Sequence, residues 1–277
     1  MTFTDAHMHF WDQAALGQYT WLHEVPSIAH RHTVENLRAE APAHLPEKIV
    51  FIEAGATPLK EVQWVSDLAA AEPRIRGIVA KILINAGART TADLAALQSF
   101  PLVKGVRHNF EHDAVDFCAR PEFIRGVQEA AALGYSFDIC CKHPQLLAVI
   151  ELVRQCPQAN FVLDHGGKPG IRTGLRDPWR EHIRTLAQFP NIVGKLSGLA
   201  TEADHDRWTE EQLRPYAEHL LDCFGPGRLM FGGDWPVAKL AIGYVPWLEM
   251  AQRFVAHLDA AEQAAVFQHN AGRFYRL

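Results

Sequence analysis

The chain has 277 residues, 48% of them hydrophobic and 21% charged, which is enough apolar material for one large core. Its formal net charge of −5 and pI near 6.3, with no run of lysines and arginines, provide no electrostatic basis for binding nucleic acid or a membrane surface. We therefore expect a small-molecule partner, no nucleic acid and no membrane. Whether subunits associate into an oligomer stays open.

The five cysteines do not form a disulfide framework. Their number is odd, and Cys140 and Cys141 are adjacent in a predicted strand, where neighbouring side chains point to opposite faces. No basic segment followed by an apolar one begins the chain, and no run of about 18 apolar residues occurs. These features favour a reducing compartment, and we expect the protein to be cytoplasmic.

Taken in order, the chain alternates short apolar runs with helical segments. The predicted strands are 3–10, 48–55, 74–84, 102–108, 135–141, 160–167, 191–198 and 228–236. The predicted helices are 34–40, 58–71, 91–98, 121–133, 146–155, 177–188, 209–224, 245–257 and 260–268. Thr33 and either Thr90 or Thr91 are expected to cap helices. Residues 11–32 are long, polar and aromatic, which predicts a packed lid.

Eight strands that are each followed by a helix describe an α/β fold of the (β/α)₈ TIM-barrel type, with residues 1–277 as a single domain. The other architecture considered is an open, doubly wound sheet. The first predicted strand is not followed by the glycine-rich dinucleotide fingerprint, and no phosphate-binding P-loop motif occurs. The barrel is therefore the better prediction.

The first strand carries a pair of histidines, His7 and His9. Residues two apart on a strand share a face, so both imidazoles should point to one place while Ala6 and Met8 face the other way. Two such rings are the geometry of a metal clamp. The alternative is a pair of structural histidines on an edge strand.

The active site of a parallel barrel lies at the carboxyl ends of its strands, and this chain places many polar residues there. They are His7, His9, Glu53, Arg107, His108, Asp138, Lys142, His143, Asp164, His165, Lys195, Ser197 and Asp234. A single polar strand end often means only that the chain leaves the core. Asp164 and His165 are neighbours and should not both face inward, so we assign His165 to the site and Asp164 to a supporting hydrogen bond.

His7 and His9 on the first strand, His165 at the end of the sixth and Asp234 at the end of the eighth resemble the amidohydrolase superfamily of barrel hydrolases. Four longer runs are similar to its sugar-lactonase branch, which includes L-fucono- and L-rhamnono-lactonases. These runs are Phe137–Leu146, Val162–Pro169, Gly194–Gly198 and Gly233–Val237.

The resemblance implies hydrolysis of the cyclic ester of an aldonic acid. The implied catalytic residues are Asp234, His165, His9 and His7, with Asp234 as the general base that takes a proton from the attacking water. Two options stay open for the cofactor, namely one divalent metal, with zinc first, or a metal-free site. Metal ligands would come from His7, His9, Glu53, His143, His165 and Asp234. Because the fourth strand offers Arg107 and His108 where two-metal relatives carry a bridging group, a two-metal centre is not expected.

The remaining groups would bind the polyhydroxylated substrate. They are Arg107, His108, Lys142, His143, Trp21 and Trp235. Lys168 lies in a Gly-Gly-Lys-Pro turn and is expected to be a solvated turn residue. The sequence does not determine which way Lys195 and Ser197 face. No Gly-x-Ser-x-Gly elbow occurs, which argues against a serine nucleophile.

Two other functions fit the same residues. One is a metal-dependent decarboxylase of a small carboxylic acid, which should require tightly bound metal and an apolar slot. The other is a barrel that binds a small molecule without turnover. Loss of activity in Asp234→Asn would distinguish the hydrolase from the binding protein.

Overall fold

Eight parallel strands form one sheet in which each strand pairs with the next along the chain. The computed structural model describes residues 2–17 and 19–277. The strands are β1 (Thr4–Met8), β2 (Lys48–Ile52), β3 (Ile75–Lys81), β4 (Val103–Asn109), β5 (Ser136–Cys140), β6 (Phe161–Leu163), β7 (Ile192–Leu196) and β8 (Leu229–Phe231). The predicted TIM barrel is confirmed.

The ends of the sheet meet just beyond β8. His9 N donates to Trp235 O at 2.8 Å, and Asp234 N donates to His7 O at the same distance. The buried Asp5 carboxylate reinforces this junction because it accepts hydrogen bonds from the backbone of His7 and Gly233. A Cβ at Gly233 would lie 2.4 Å from the Asp5 carboxylate, so glycine is required for the approach.

Helices follow the strands and cover the outside of the barrel. They are α1 (Gln13–Leu16), α2 (Val34–Glu40), α3 (Pro58–Ala71), α4 (Ala88–Leu97), α5 (Pro121–Ala132), α6 (Leu146–Gln155), α7 (Trp179–Leu186), α8 (Glu210–Phe224), α9 (Tyr244–Phe254), α10 (Ala260–Ala264) and α11 (Asn270–Tyr275). Among the described residues, no helix has both the length and the apolar character to cross a membrane.

Several predicted helix boundaries differ from the structure by one to four residues, among them the end of α9, and two differences have a structural cause. α4 begins at Ala88 after Gly87, which has a φ of 58°. The hydroxyl of Thr90 instead accepts from Ala86 N and donates to Leu83 O, which fixes the preceding loop. The helix predicted at 260–268 ends at Ala264 and continues through a π-helical turn, Ala265–His269, into α11.

The barrel interior has an apolar floor under a polar mouth. Ala6, Val50, Val79 and Met230 pack there against Tyr275 of α11. Ala6 was expected on the outer face, but the pairing of β1 with β2 shifts register between Asp5 and Met8. This irregularity lets Ala6 face inward together with His7 and His9.

The long connection after β1 is packed, although Gln18 within it lies outside the described residues. Trp11 and His32 exchange two backbone hydrogen bonds of 2.9 Å, which bring the ends of the connection together. Trp11, Tyr19 and Leu22 bury their side chains against Ala54 and the chain after β2. The segment therefore lies beside the carboxyl ends of the first two strands.

Candidate active site

Three imidazoles and one carboxylate meet at the mouth of the barrel. Asp234 Oδ1 lies 3.4 Å from His9 Nε2, 3.7 Å from His7 Nε2 and 4.0 Å from His165 Nε2. The two Nε2 atoms of His7 and His9 are 3.2 Å apart. All four residues are buried, so their polar atoms face one another rather than solvent.

Strained backbone positions bring two of these side chains to the centre. His165 and Asp234 each have a φ of 52°, in the left-handed region that non-glycine residues rarely adopt. After β6 the chain enters a left-handed turn at His165, Gly166 and Gly167, so the alternation of a strand ends there. Asp164 and His165 consequently both reach the centre, contrary to the expectation from alternation.

The far nitrogen of each imidazole is held by a neighbouring group. His9 Nδ1 lies 2.9 Å from Ile52 O, at the end of β2. His7 Nδ1 lies 3.3 Å from Asp164 Oδ1. A carbonyl oxygen only accepts hydrogen bonds, so the proton of the His9 ring belongs on Nδ1. His9 Nε2 therefore presents a lone pair toward Asp234. His7 Nδ1 lies equally close to the Lys195 ammonium, which only donates, so its neighbours hold the ring in place without fixing its proton.

This donor set fits one divalent metal. The Nε2 atoms of His7 and His9 and an oxygen of Asp234 are close enough together for one cation to bind all three. Zinc bound to nitrogen at about 2.0–2.1 Å in tetrahedral geometry would set its ligand atoms roughly 3.3 Å apart. His7, His9 and Asp234 offer ligand atoms that all lie within 4.8 Å of one another. His165 stands at the edge of this group.

Burial keeps the His7 and His165 rings neutral. Burial lowers the pKa of His165 to about 4 and moves the pKa of His7 well below its ordinary value. Burial alone would raise the pKa of Asp234, but the neighbouring histidines His165, His9 and His7 outweigh it, so that pKa lies well below the usual range. At neutral pH the His7 and His165 rings are thus neutral and lie beside the ionised Asp234 carboxylate.

A network of buried charges supports the centre from below. The Lys195 ammonium lies 2.7 Å from Asp138 Oδ2, 2.9 Å from Asp164 Oδ1 and 3.3 Å from His7 Nδ1. Lys195, whose direction the sequence left open, therefore faces the barrel interior. Tyr275 of α11 donates its hydroxyl to Asp138 Oδ2 at 2.6 Å. The sequence analysis did not identify Tyr275, because no motif near it in the chain indicates that its hydroxyl joins a buried polar network.

Arg107 belongs to the same network. Its Nε and one terminal nitrogen donate to Oε1 and the backbone oxygen of Glu53 at 2.8 Å, and the other terminal nitrogen lies 3.3 Å from Asp164 Oδ2. Both residues were expected in other roles, Glu53 as a metal ligand and Arg107 as a substrate contact. The ion pair directs their charged groups at each other, and Glu53 is not part of the candidate metal group of His7, His9 and Asp234, which corrects its predicted role. The substrate contact of Arg107 stays a prediction.

His143 is separate from the centre as well. Its Nε2 would lie 3.2 Å from a Cβ at Gly170, so the ring packs on the loop after β6. Burial lowers the pKa of His143, and His182 of α7 contributes to this shift. His143 is not part of the candidate metal group of His7, His9 and Asp234, so its predicted role as a metal ligand is corrected. Its role as a substrate contact stays a prediction.

Two predicted substrate contacts, Trp235 and His108, lie behind the barrel wall. Trp235 is fully buried, and its indole nitrogen lies 3.2 Å from Glu40 of α2. The His108 ring packs on Phe117 and Phe123, and its Nδ1 accepts from Ile84 N at 3.3 Å. Each residue neighbours an inward-facing one, Asp234 or Arg107, and therefore points outward. Neither contacts the centre.

Trp21 and Lys142 remain at the rim. The indole nitrogen of Trp21 donates to Ala54 O at 2.7 Å, which places the half-buried ring over the end of β2. Lys142 follows β5 and is half-buried. Ser197, whose direction was also left open, lies with its Oγ 2.9 Å from His165 Nδ1.

Lys168 is not a solvated turn residue. Its side chain is 17% exposed, and its ammonium forms an ion pair with Glu111 and lies 3.9 Å from Glu202 Oε1. Glu111 follows β4, and Glu202 ends a 3₁₀ turn after β7. The sequence analysis missed both acids, because each lies past its strand end in a loop whose path the sequence does not fix.

Comparison with known proteins agrees with this geometry. The family model described as Amidohydrolase matches residues 4–277. The chain belongs to the amidohydrolase family. This amidohydrolase is 33% identical over 286 residues to an L-fucono-1,5-lactonase of Burkholderia multivorans, covering 99% of this chain and 95% of that protein.

Two further relatives extend the comparison. A crystal structure of an amidohydrolase from Burkholderia multivorans with bound zinc superimposes with a TM-score of 0.88 at 30% identity, over the full length of both chains. A 2-pyrone-4,6-dicarboxylate hydrolase of Comamonas testosteroni is 24% identical over 185 residues, covering 62% of this chain and 59% of that protein.

Proposed function

We propose that this amidohydrolase opens a sugar (aldono) lactone by attack of water on the ester carbonyl, with Asp234 as the general base. The observation that carries the proposal is the ionised Asp234 carboxylate facing His7, His9 and His165 at the mouth of the barrel. The full-length similarity to an L-fucono-1,5-lactonase supports the choice of a lactone.

The reaction needs one proton to move twice. As the water oxygen bonds to the carbonyl carbon, a water proton passes to the Asp234 carboxylate. When the tetrahedral intermediate collapses, the bond from the carbonyl carbon to the ring oxygen breaks, and that oxygen takes the proton from Asp234. The product is an open hydroxy acid, and its carboxyl group releases one proton to solvent.

The residues of the centre supply orientation and a dry environment. The three rings are fixed through their Nδ1 atoms, so they hold Asp234 and the reacting carbonyl without having to reorganise during the step. A divalent metal held by His7, His9 and Asp234, with His165 at its edge, would lower the pKa of bound water and polarise the carbonyl.

The charges of the mouth favour a neutral lactone over a substrate with several carboxylates. The buried cations Arg107, Lys195 and Lys168 are each paired with acidic side chains. A dicarboxylate would need cations that are free to pair with it. An aromatic acid, as expected for a decarboxylase, would need an apolar slot, whereas Glu111, Lys168 and Glu202 bring charge to the wall.

The test is a screen of aldono-1,5- and aldono-1,4-lactones in weak buffer, in which acid release is followed with and without a chelator. We expect turnover of at least one six-membered or five-membered sugar lactone. Turnover that disappears with chelator and returns with zinc would assign a metal, and turnover that persists would assign a metal-free site. An inert preparation across the panel would refute the proposal.

A further inference from the structure

Glu111, Lys168 and Glu202 form a charged group on one wall of the barrel mouth. They come from the loops after β4, β6 and β7, so three separate loops bring their side chains together. The side chains of Glu111, Lys168 and Glu202 are 13%, 17% and 21% exposed. They are largely withdrawn from water, yet a molecule in the mouth can reach them.

The group is rigidly connected to the catalytic centre. Lys168 ends the left-handed turn that begins at His165, and Lys168 N donates to His165 O at 3.0 Å. Lys168 itself has a φ of 44°, in the left-handed region that residues with a side chain rarely adopt. On the other side, Asn109 Nδ2 donates to Glu111 Oε1 at 3.2 Å and so fixes that carboxylate.

The group lies beside the catalytic centre along the chain. Lys168 is three residues after His165 in the same left-handed turn. Glu202 is five residues after Ser197, whose Oγ lies 2.9 Å from His165 Nδ1. Lys168 and Glu202 therefore lie on the part of the mouth that His165 borders.

The distance between the Lys168 and Glu202 side chains indicates which kind of ligand atom can bind between them. Lys168 Nζ and Glu202 Oε1 are 3.9 Å apart, which is too far for a direct hydrogen bond. A hydroxyl between them can accept from the ammonium and donate to the carboxylate, each at about 2.8 Å. Carbonyl and ether oxygens only accept, so they cannot satisfy both groups. The spacing selects an alcohol.

We propose that Lys168, Glu202 and Glu111 bind ring hydroxyls of the substrate and thereby determine specificity for polyhydroxylated lactones. This inference rests on the proposed function and deepens it, because it assigns recognition of the hydroxyls to groups separate from the ester-opening centre. Lys168 and Glu202 hold one hydroxyl, and Glu111 keeps the ammonium in place.

The experiment compares two lactones with the same six-membered ester ring. L-Fucono-1,5-lactone carries hydroxyls, and δ-valerolactone carries none. Glu202→Gln keeps the Lys168–Glu111 ion pair, and Lys168→Met removes the ammonium. For the hydroxylated lactone we expect each substitution to lower kcat/KM by roughly 10- to 100-fold, as for the loss of a charged hydrogen bond. For δ-valerolactone we expect kcat/KM to stay within about threefold of the wild-type value.

Lys104→Met is the matched control, since Lys104 lies near the opposite end of β4 and its ammonium donates to Pro101 O. It should change neither rate. Equal losses of kcat/KM on both lactones would mean that Lys168 and Glu202 only position the centre, and would overturn the inference. Unchanged rates on both lactones would overturn it as well. If Lys168→Met does not fold, Glu202→Gln decides alone.

Failure of the proposed function is distinguishable from failure of this inference. If the wild-type protein opens no lactone of the panel, the proposed function fails, and hydroxyl recognition is then tested by binding of L-fucose, a neutral pyranose, followed by NMR titration. If it opens another hydroxylated lactone of the panel, that lactone replaces L-fucono-1,5-lactone in the comparison. An affinity reduced about tenfold or more in Glu202→Gln would support the inference. Equal affinity, or no binding to the wild-type protein, would refute it.

Discussion

Ser197 Oγ lies 2.9 Å from Nδ1 of His165, and both groups are buried. The contact joins the end of β7 to the turn after β6. Together with Ile52 O behind His9 and Asp164 behind His7, it means that each imidazole of the centre is oriented by a different neighbouring element. The geometry of the centre is thus a property of the barrel rim rather than of one loop.

Removing the Ser197 hydroxyl should loosen His165 without unfolding the protein. We expect Ser197→Ala to lower kcat about 10- to 100-fold, the range found when groups that orient metal or catalytic histidines are removed. The midpoint of thermal unfolding should fall by only a few degrees, because one buried hydrogen bond contributes about 1 kcal/mol. Steady-state rates and thermal melts measure both, with Ser66→Ala on the outside of α3 as control. Unchanged kcat would contradict the orienting role.

The Tyr275 hydroxyl should matter for stability more than for chemistry. In Tyr275→Phe, Asp138 loses the 2.6 Å hydrogen bond from the barrel floor and retains Lys195. The loss leaves a buried carboxylate less well satisfied, so we expect the free energy of unfolding to fall by about 1–3 kcal/mol. Urea unfolding measures this difference, and Tyr135→Phe removes a hydroxyl outside the network for comparison. A free energy of unfolding within about 0.5 kcal/mol of the wild-type value, the usual size of a surface substitution, would contradict this prediction.

The fold was largely predictable because its signals are local. Eight apolar runs and the caps and prolines between them fixed the order of elements, and helices such as α2, α3 and α6 were placed to the residue. The predictions are wrong where tertiary contacts override local sequence preferences. One example is Ala6, which the register shift of β1 turns inward, and another is the π-helical turn that divides the last predicted helix.

The site was predictable in its strand-borne part only. His7 and His9 follow from strand periodicity, and strand ends pointed to Asp234 and His165. A position at the end of a strand does not show which of two adjacent side chains faces inward. His108 and Trp235 were therefore wrongly assigned to the site. Glu111 and Lys168 meet through loops from different strands, and no spacing in the sequence encodes that approach.

Asp234→Asn tests the general base directly. An amide of the same shape cannot take a proton from water, so we expect the rate of lactone opening to fall by about 100-fold or more. Ligand binding should be weakened far less, which a titration with a hydrolysed aldonic acid would measure. Full activity of the variant would remove Asp234 from the mechanism, and an inactive wild-type protein that still binds the acid would favour the non-catalytic barrel.

Zinc should stabilise the folded protein through His7, His9 and Asp234. A metal that binds only the folded state at a thousand times its Kd adds about 4 kcal/mol to the free energy of unfolding. We expect zinc to raise the melting temperature of the chelator-treated protein by several degrees, and we expect a much smaller rise in a variant with His9→Gln. This readout does not depend on activity. Equal shifts in both proteins would place the bound metal elsewhere.

Acid stability should depend on Glu111. Burial alone would raise the pKa of Glu111, but the Lys168 ammonium beside it lowers this pKa from 4.5 to about 2. Between pH 4.5 and 2, the unfolded chain therefore binds a proton at this carboxylate and the folded chain does not, so stability falls as the pH falls. The contribution is fully present above about pH 5 and is lost on acidification toward the folded-state pKa.

In Glu111→Gln this contribution is missing at every pH. We therefore expect the free energy of unfolding of the wild-type protein to exceed that of the variant by a constant amount between about pH 5 and 7, and the difference to shrink steadily as the pH is lowered toward 2.5. Urea unfolding across this range measures it. Glu122→Gln, on the first turn of α5, is the control and should follow the wild-type profile. A difference that stayed constant down to the lowest pH would show that Lys168 does not hold the Glu111 pKa down. The ion pair would then contribute to neither acid stability nor the rigidity of the mouth wall.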